Sequence, residues 1–166
     1  MNLRQMTLFA ALLGAALFVS SMLTRPAFAD EPLVGTWKLV SLVNDDLETK
    51  EQWHGFGQHP GGLLIFTPQK RFMVLQTAEE RKGSQSEAER AKAFATMFAM
   101  AGTYRVEGSK YFVTVELSWD PTYVGMELAR DFKIEGNRLT SIAAPRRGTQ
   151  TGRMMVATSV WERVTQ

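Results

Sequence analysis

From residue 35 onward apolar and polar residues alternate over one short run after another. This is the period-two pattern of strands that bury one face. Thr36 to Val43 puts Trp37, Leu39 and Val43 on one side and Lys38 on the other. Leu63 to Thr67 and Arg71 to Thr77 flank Pro68-Gln69-Lys70 and read as a hairpin, entered through the turn His59-Pro60-Gly61-Gly62. Beyond Thr103 the chain is strand after strand: Thr103 to Glu107, Lys110 to Trp119, Met126 to Ile134, Arg138 to Ala144 and Arg153 to Val164. Gly108-Ser109, Asp120-Pro121 and Glu135-Gly136-Asn137 supply the turns, and Pro145 to Gly152 is a polar basic loop. About eight short strands joined mostly by tight turns predict an all-β, up-and-down antiparallel barrel, because closure removes the two edges a flat sheet would expose.

Two stretches depart from this rhythm. Ser86-Glu87-Ala88-Glu89 has the form of a capping box, and Ala91, Phe94, Ala95, Phe98 and Ala101 follow at helical spacing with Met97 and Met100 beside them. The spacing predicts one helix, stopped by Gly102, whose apolar stripe packs on an end or flank of the sheet. Asn44 to His59 is a long polar connection carrying Trp53, Phe56, His54 and His59. Connections of that length commonly serve as binding loops or lids. The two histidines lie near Asp45, Asp46, Glu48 and Glu51, but their spacing matches no helical ligand pair, and no metal site is predicted.

Residues 1–29 read as a signal peptide, with Arg4 in a positive leading region, an apolar run from Leu8 to Val19, and Ala27-Phe28-Ala29 before Asp30. An exported chain, periplasmic or secreted, with one domain over residues 30–166 is the expectation. The chain has no cysteine, which excludes disulfides, thiolate metal sites and a lipidated N-terminus. Its 19 Lys and Arg exceed its 17 Asp and Glu by two, and Arg4 and Arg25 of the leader account for that excess. No basic stripe remains to argue for nucleic acid or for an anionic membrane surface.

The ordered set Leu33-Val34-Gly35-Thr36-Trp37, Pro60-Gly61-Gly62-Leu63-Leu64-Ile65-Phe66, Gly102-Thr103-Tyr104-Arg105-Val106, Ser118-Trp119-Asp120-Pro121, Gly125, Arg130-Asp131-Phe132, Gly136-Asn137-Arg138-Leu139 and Trp161-Glu162-Arg163 resembles the bacterial and fungal lipocalin-like domain family. The resemblance covers most of residues 33 to 164 and implies a small calycin-type β-barrel with an internal cavity. It implies no agreed activity. It also implies structural roles for Gly35, Trp37 and Arg163, with the arginine of the last strand packed over the tryptophan ring as a cation–π closure of the barrel floor.

The candidate chemistry centres on Arg130. Alternation puts Leu128, Arg130, Phe132 and Ile134 on one face and Glu127, Asp131 and Lys133 on the other. A guanidinium inside a barrel keeps its proton and must be compensated by an internal partner or by an anionic ligand. With Tyr111, Val113, Leu117 and Phe132 expected on the lining, and Tyr104 as a further polar candidate, the second alternative selects a small hydrophobic or amphipathic molecule. No nucleophile elbow, phosphate loop, metal spacing or cofactor signature is present, and no catalytic residue is assigned. A barrel enzyme of isomerase or cyclase type would have Arg130, Tyr104 or Tyr111, and Glu116 to work with. A protein-interaction module would use the barrel exterior and the 44–59 loop. The leader reading predicts that N-terminal sequencing of exported protein begins at Asp30. A bulky replacement such as Ala29→Leu should leave the leader attached.

Overall fold

The computed structural model describes residues 31–83, 85–147 and 152–165, so the leader reading lies outside the described residues. Ten strands are present among the described residues: β1 (Gly35–Asp46), β2 (Gln52–Trp53), β3 (Gly61–Phe66), β4 (Arg71–Thr77), β5 (Met97–Glu107), β6 (Lys110–Ser118), β7 (Glu127–Glu135), β8 (Arg138–Ala143), β9 (Arg146–Arg147) and β10 (Met154–Arg163). A helix, α1 (Glu87–Ala95), precedes β5, and a single 3₁₀ turn (Pro121–Tyr123) follows β6. The sheet runs β2-β1-β3-β4-β5-β6-β7-β8-β10-β9, and antiparallel pairing of β1 with β10 closes its eight long strands into a barrel. Every long strand therefore lies between two hydrogen-bonded neighbours.

One end of the barrel is sealed. Trp37 is fully buried and donates its Nε1–H to the Leu33 carbonyl at 2.8 Å. Arg163, opposite Trp37 in the β1–β10 register, lies 4.0 Å from the centre of its ring. The guanidinium also donates to the carbonyls of Val34 at 2.7 Å and Pro32 at 2.6 Å, which holds the incoming chain across the barrel end. Gly35 is needed there. Its φ is +138°, and a Cβ would sit 2.6 Å from Arg163 Nη1. Phe66, Phe72, Tyr104 and Tyr111 form the next layer, with Phe66 contacting the other three rings at 4.8 to 5.6 Å.

Three expectations need correction. The β1–β10 register shifts between Leu39 and Ser41, so Leu42 and Asn44 line the interior in place of Val43. The helix ends at Ala95, and Met97 to Ala101 belongs to β5. The capping box forms as read, with Glu89 N–H on Ser86 Oγ at 3.3 Å and Ser86 N–H on Glu89 Oε2 at 2.9 Å. Yet α1 buries no side chain, and Phe94 is exposed. Met97 to Ala101 is apolar on both faces and fits either period; what decides is β4, whose ladder from Arg71–Thr103 to Thr77–Met97 would otherwise be an open edge. Gly102, expected to stop the helix, is a strand residue at a close approach. A Cβ there would meet the Thr114 carbonyl oxygen at 1.9 Å.

The 44–59 connection is more ordered than its composition suggests. β1 continues through Asp46, whose carboxylate accepts the amides of Glu48 at 2.8 Å and Thr49 at 3.0 Å before the chain turns back as β2. Its distal part is tied to the end of β4. Glu79 Oε2 accepts the His59 amide at 2.8 Å, and the Glu79 amide donates to the Phe56 carbonyl at 3.0 Å. The bond from the His59 amide holds the Glu79 carboxyl below its ordinary value of 4.5. Since the folded value is the lower one, this tie is fully present above about pH 4.5 and fades as pH falls through the lowered value. Acidification should therefore strip exchange protection from the His59 amide before the barrel amides, as read by hydrogen exchange corrected for intrinsic rates. Glu79→Ala should abolish that pH step. At the sealed end, Arg163→Ala should cost about 2–4 kcal/mol in denaturant unfolding by losing the ring contact and charge-assisted bonds.

Candidate ligand cavity

Opposite the Trp37 end the barrel encloses a cavity of about 520 Å³. Leu64, Phe72, Val74 and Trp161 form its apolar lower wall. Its mouth is aromatic, and Trp53 and Phe56 of the 44–59 connection reach it. Phe98 lies 4.6 Å from Trp119, which stacks on Tyr123 at 5.1 Å with 28° between the planes. Arg146 covers the far face of this group at 5.2 Å from the Tyr123 ring and donates to the Tyr123 hydroxyl. A volume in this range is typical of sites for small molecules.

Arg130 is set into the wall by the alternation of β7, where Leu128, Phe132 and Ile134 pack against the core on the same face. In register it stands between Tyr111 of β6 and Ala143 of β8. It is half-buried and lines the cavity, and its side chain makes no hydrogen bond or ion pair among the described residues. The two carboxylates on the lining are engaged elsewhere. Glu127 holds Arg105 at 2.9 Å, and Asp120 caps the 3₁₀ turn through the Thr122 amide and hydroxyl at 3.0 and 2.8 Å. Near the mouth Asp46 pairs with Arg153 at 2.7 Å, and the amide of Thr49 is the largest of the bonds that lower its pKa. The positive charge in the wall is thus left to a guest or to water.

Tyr111 is wholly buried and exchanges a 2.8 Å hydrogen bond with Ser141 Oγ. Burial pushes its hydroxyl pKa up, while Arg130 and the bond to Ser141 act in the opposite direction. Ser159 Oγ accepts the Trp161 indole N–H at 2.8 Å and reaches the Ser141 carbonyl at 3.4 Å, so the polar groups around Ser141 satisfy one another. Two further side chains are free in the way Arg130 is. Gln76 of β4, nearly buried, and Asn44 of β1 both line the cavity and make no side-chain hydrogen bond among the described residues.

The structure brings Arg130 and Tyr111 together, keeps Phe132 beside them, and separates Leu117 and Tyr104 from them. Phe132 supports Tyr111 from below, ring to ring at 6.0 Å, and is not on the lining. Leu117 was expected inside and points out, 67% exposed. The β5–β6 register shifts between Ala101 and Gly102, pairing Leu117 with Ala101 and Val115 with Gly102, and the extra residue Glu116 reverses the alternation beyond it. Tyr104 belongs to the sealed end, its hydroxyl within 3.2 Å of Glu31 Oε2 and 3.1 Å of the Thr67 carbonyl, with Lys70 paired to Glu31 beside it. Glu116 is outside the barrel on Arg71, at 2.6 Å. His54 and His59 stay in the connection tied by Glu79, and no group of three or more His, Asp or Glu converges to hold a metal among the described residues. Sequence reading missed Gln76 and Asn44. Gln76 was legible, since it shares the alternation of Phe72 and Val74, whereas the shift in β1 hid Asn44.

Comparison with known proteins adds one positive finding. A search of curated proteins gave no match. A family model described as a lipocalin-like domain matches residues 34–164, a span that begins beside the Trp37 seal and ends just past Arg163. With the closed barrel and its sealed end, this establishes that the chain belongs to the lipocalin-like domain family.

Proposed function

We propose that this domain acts outside the cytoplasm by binding a small amphipathic molecule in the barrel, its acidic or strongly polarised head against Arg130 and its apolar part along Leu64, Phe72 and Trp161. The observation that carries this reading is the unpaired guanidinium of Arg130 in an otherwise largely apolar wall. A planar donor with a permanent charge matches a carboxylate in two parallel hydrogen bonds, and such bonds are stronger in a cavity that excludes water. Gln76 and Asn44 offer the remaining donors and acceptors to a head group. Burial of the apolar part against aromatic rings supplies the bulk of the affinity. The isomerase or cyclase reading keeps only Arg130 and Tyr111, because Glu116 and Tyr104 do not share the cavity.

The test is a titration with a medium-chain fatty acid and with its methyl ester, each against the wild-type chain and Arg130→Met. The acid should bind the wild type, and the substitution should weaken it about 10- to 100-fold, the size of a charge-assisted hydrogen bond. The ester should change by less than about threefold on the same comparison. Equal affinities of the acid for both proteins would overturn the role of Arg130. Native mass spectrometry of protein taken from its own host should show a retained guest that Arg130→Met loses.

A further inference from the structure

The outside of the barrel is divided into two unlike halves. From the end of β5 through β6, β7, β8 and β10 the outward positions carry ion pairs: Lys110–Asp131 at 2.6 Å, Arg105–Glu127 at 2.9 Å, Lys133–Glu135 at 2.8 Å and Arg138–Glu162 at 3.8 Å. Across β3, the middle of β4, the first half of β5 and the end of β6 a block of outward positions is apolar, bounded along the strands by Arg71, Thr103 and Arg105. The register aligns them in two rows, Leu63–Leu75–Ala99 and Ile65–Met73–Ala101–Leu117. Leu63, Met73, Leu75 and Leu117 are exposed, with 53% of Met73 and 67% of Leu117 open to solvent. An antiparallel sheet with one face on a core and the other in water ordinarily alternates apolar with polar, and strands apolar on both faces are those covered on both. The extra residue Glu116 is what turns Leu117 onto this face, and such bulges commonly serve to re-aim a side chain.

We propose that this face is a two-fold interface with a second copy of the chain. The relief argues for self-association. Met73 and Leu75 form a ridge on β4, Ala99 and Ala101 form a trough beside it on β5, and a two-fold axis running along the strands between them lays each ridge in the other copy's trough. The same operation sets Leu117 of β6 against Ile65 of β3 in the second copy. The charges agree with it: on the margin, Arg71 and Glu116 already neutralise each other at 2.6 Å, and Arg71 would face Thr103 of the second copy. From strand and residue spacings the apolar centre covers about 300 Å² per copy, which with its rim brings a pair to about 1,000 Å², the low end for specific interfaces. The dimer is accordingly a weak one, with a Kd in the micromolar range.

Sedimentation velocity of the chain as it accumulates in its host tests this, over about 5 to 200 µM, the range that spans a micromolar Kd. The weight-average sedimentation coefficient should rise with concentration from the monomer to the dimer value. Leu117→Glu and Ile65→Lys should each weaken association at least tenfold, and an equimolar mixture of the two should restore it, because each mixed pair sets one glutamate against one lysine. Circular dichroism melts of both variants guard against misfolding, and Met73→Lys, more than half exposed and set against Ala101 of the second copy, repeats the loss of association if Ile65→Lys melts early. A monomer throughout the range would overturn the proposal. So would a dimer that Leu117→Glu leaves intact, or variants that fail to associate when mixed. Protein recovered on lipid vesicles but monomeric in solution would assign the face to a membrane and overturn it as well.

Discussion

Pairing of β1 with β10 both closes the barrel and places Arg163 opposite Trp37. Closure and seal are therefore one event. Without that register the guanidinium would not reach the ring at 4.0 Å, nor the carbonyls of Pro32 and Val34 that bring the chain over the barrel end. The arrangement gives a charged side chain a fully compensated place: one face on an aromatic quadrupole, two donors on carbonyls. Gly35 follows from it, since the guanidinium occupies the space any side chain would need.

A barrel sealed at one end is free to be hollow at the other, and the two inward arginine environments show the contrast. Arg163 has every partner it needs, whereas Arg130 has none among the described residues. The first holds the barrel end together, and the second is the group on which the proposed binding role rests. Tyr111 and Ser141, next to Arg130 in the wall, satisfy each other and so hold the wall's geometry fixed beside the guanidinium. At the mouth, Trp119 stacks on Tyr123 and Arg146 lies over the Tyr123 ring, so the cavity's rim is built of aromatic rings that hold one another in place.

Two one-residue irregularities do much of the remaining work. The shift at Val40 sends Asn44 into the cavity, and the extra residue at Glu116 sends Leu117 out of it. Each changes which side of the wall the following residues meet, so a single inserted position alters both the chemistry of the interior and the character of the surface. Outside, Leu117 joins an apolar block on β3, β4 and β5, while ion pairs mark the positions around β7. The wall thus presents unlike chemistry on its two sides, a partly polar cavity within and an apolar block without.

The sequence by itself determined the all-β class, the meander of strands and their turns, the capping box at Ser86 and the inward face of Arg130. All of these are local: period-two alternation, turn residues and cap chemistry act over a few positions and survive transfer into any context. Tertiary structure alone decided that Met97 to Ala101 is strand, because that stretch satisfies both periods and the unpaired edge of β4 breaks the tie. It decided the placement of Val43, Asn44 and Leu117, because a bulge is a property of two strands in register and leaves no mark on one of them. It also put Tyr104 at the sealed end and Glu116 outside, apart from Arg130. Parity gives the side of a wall a residue faces, while its height along the barrel axis depends on the register of every strand between.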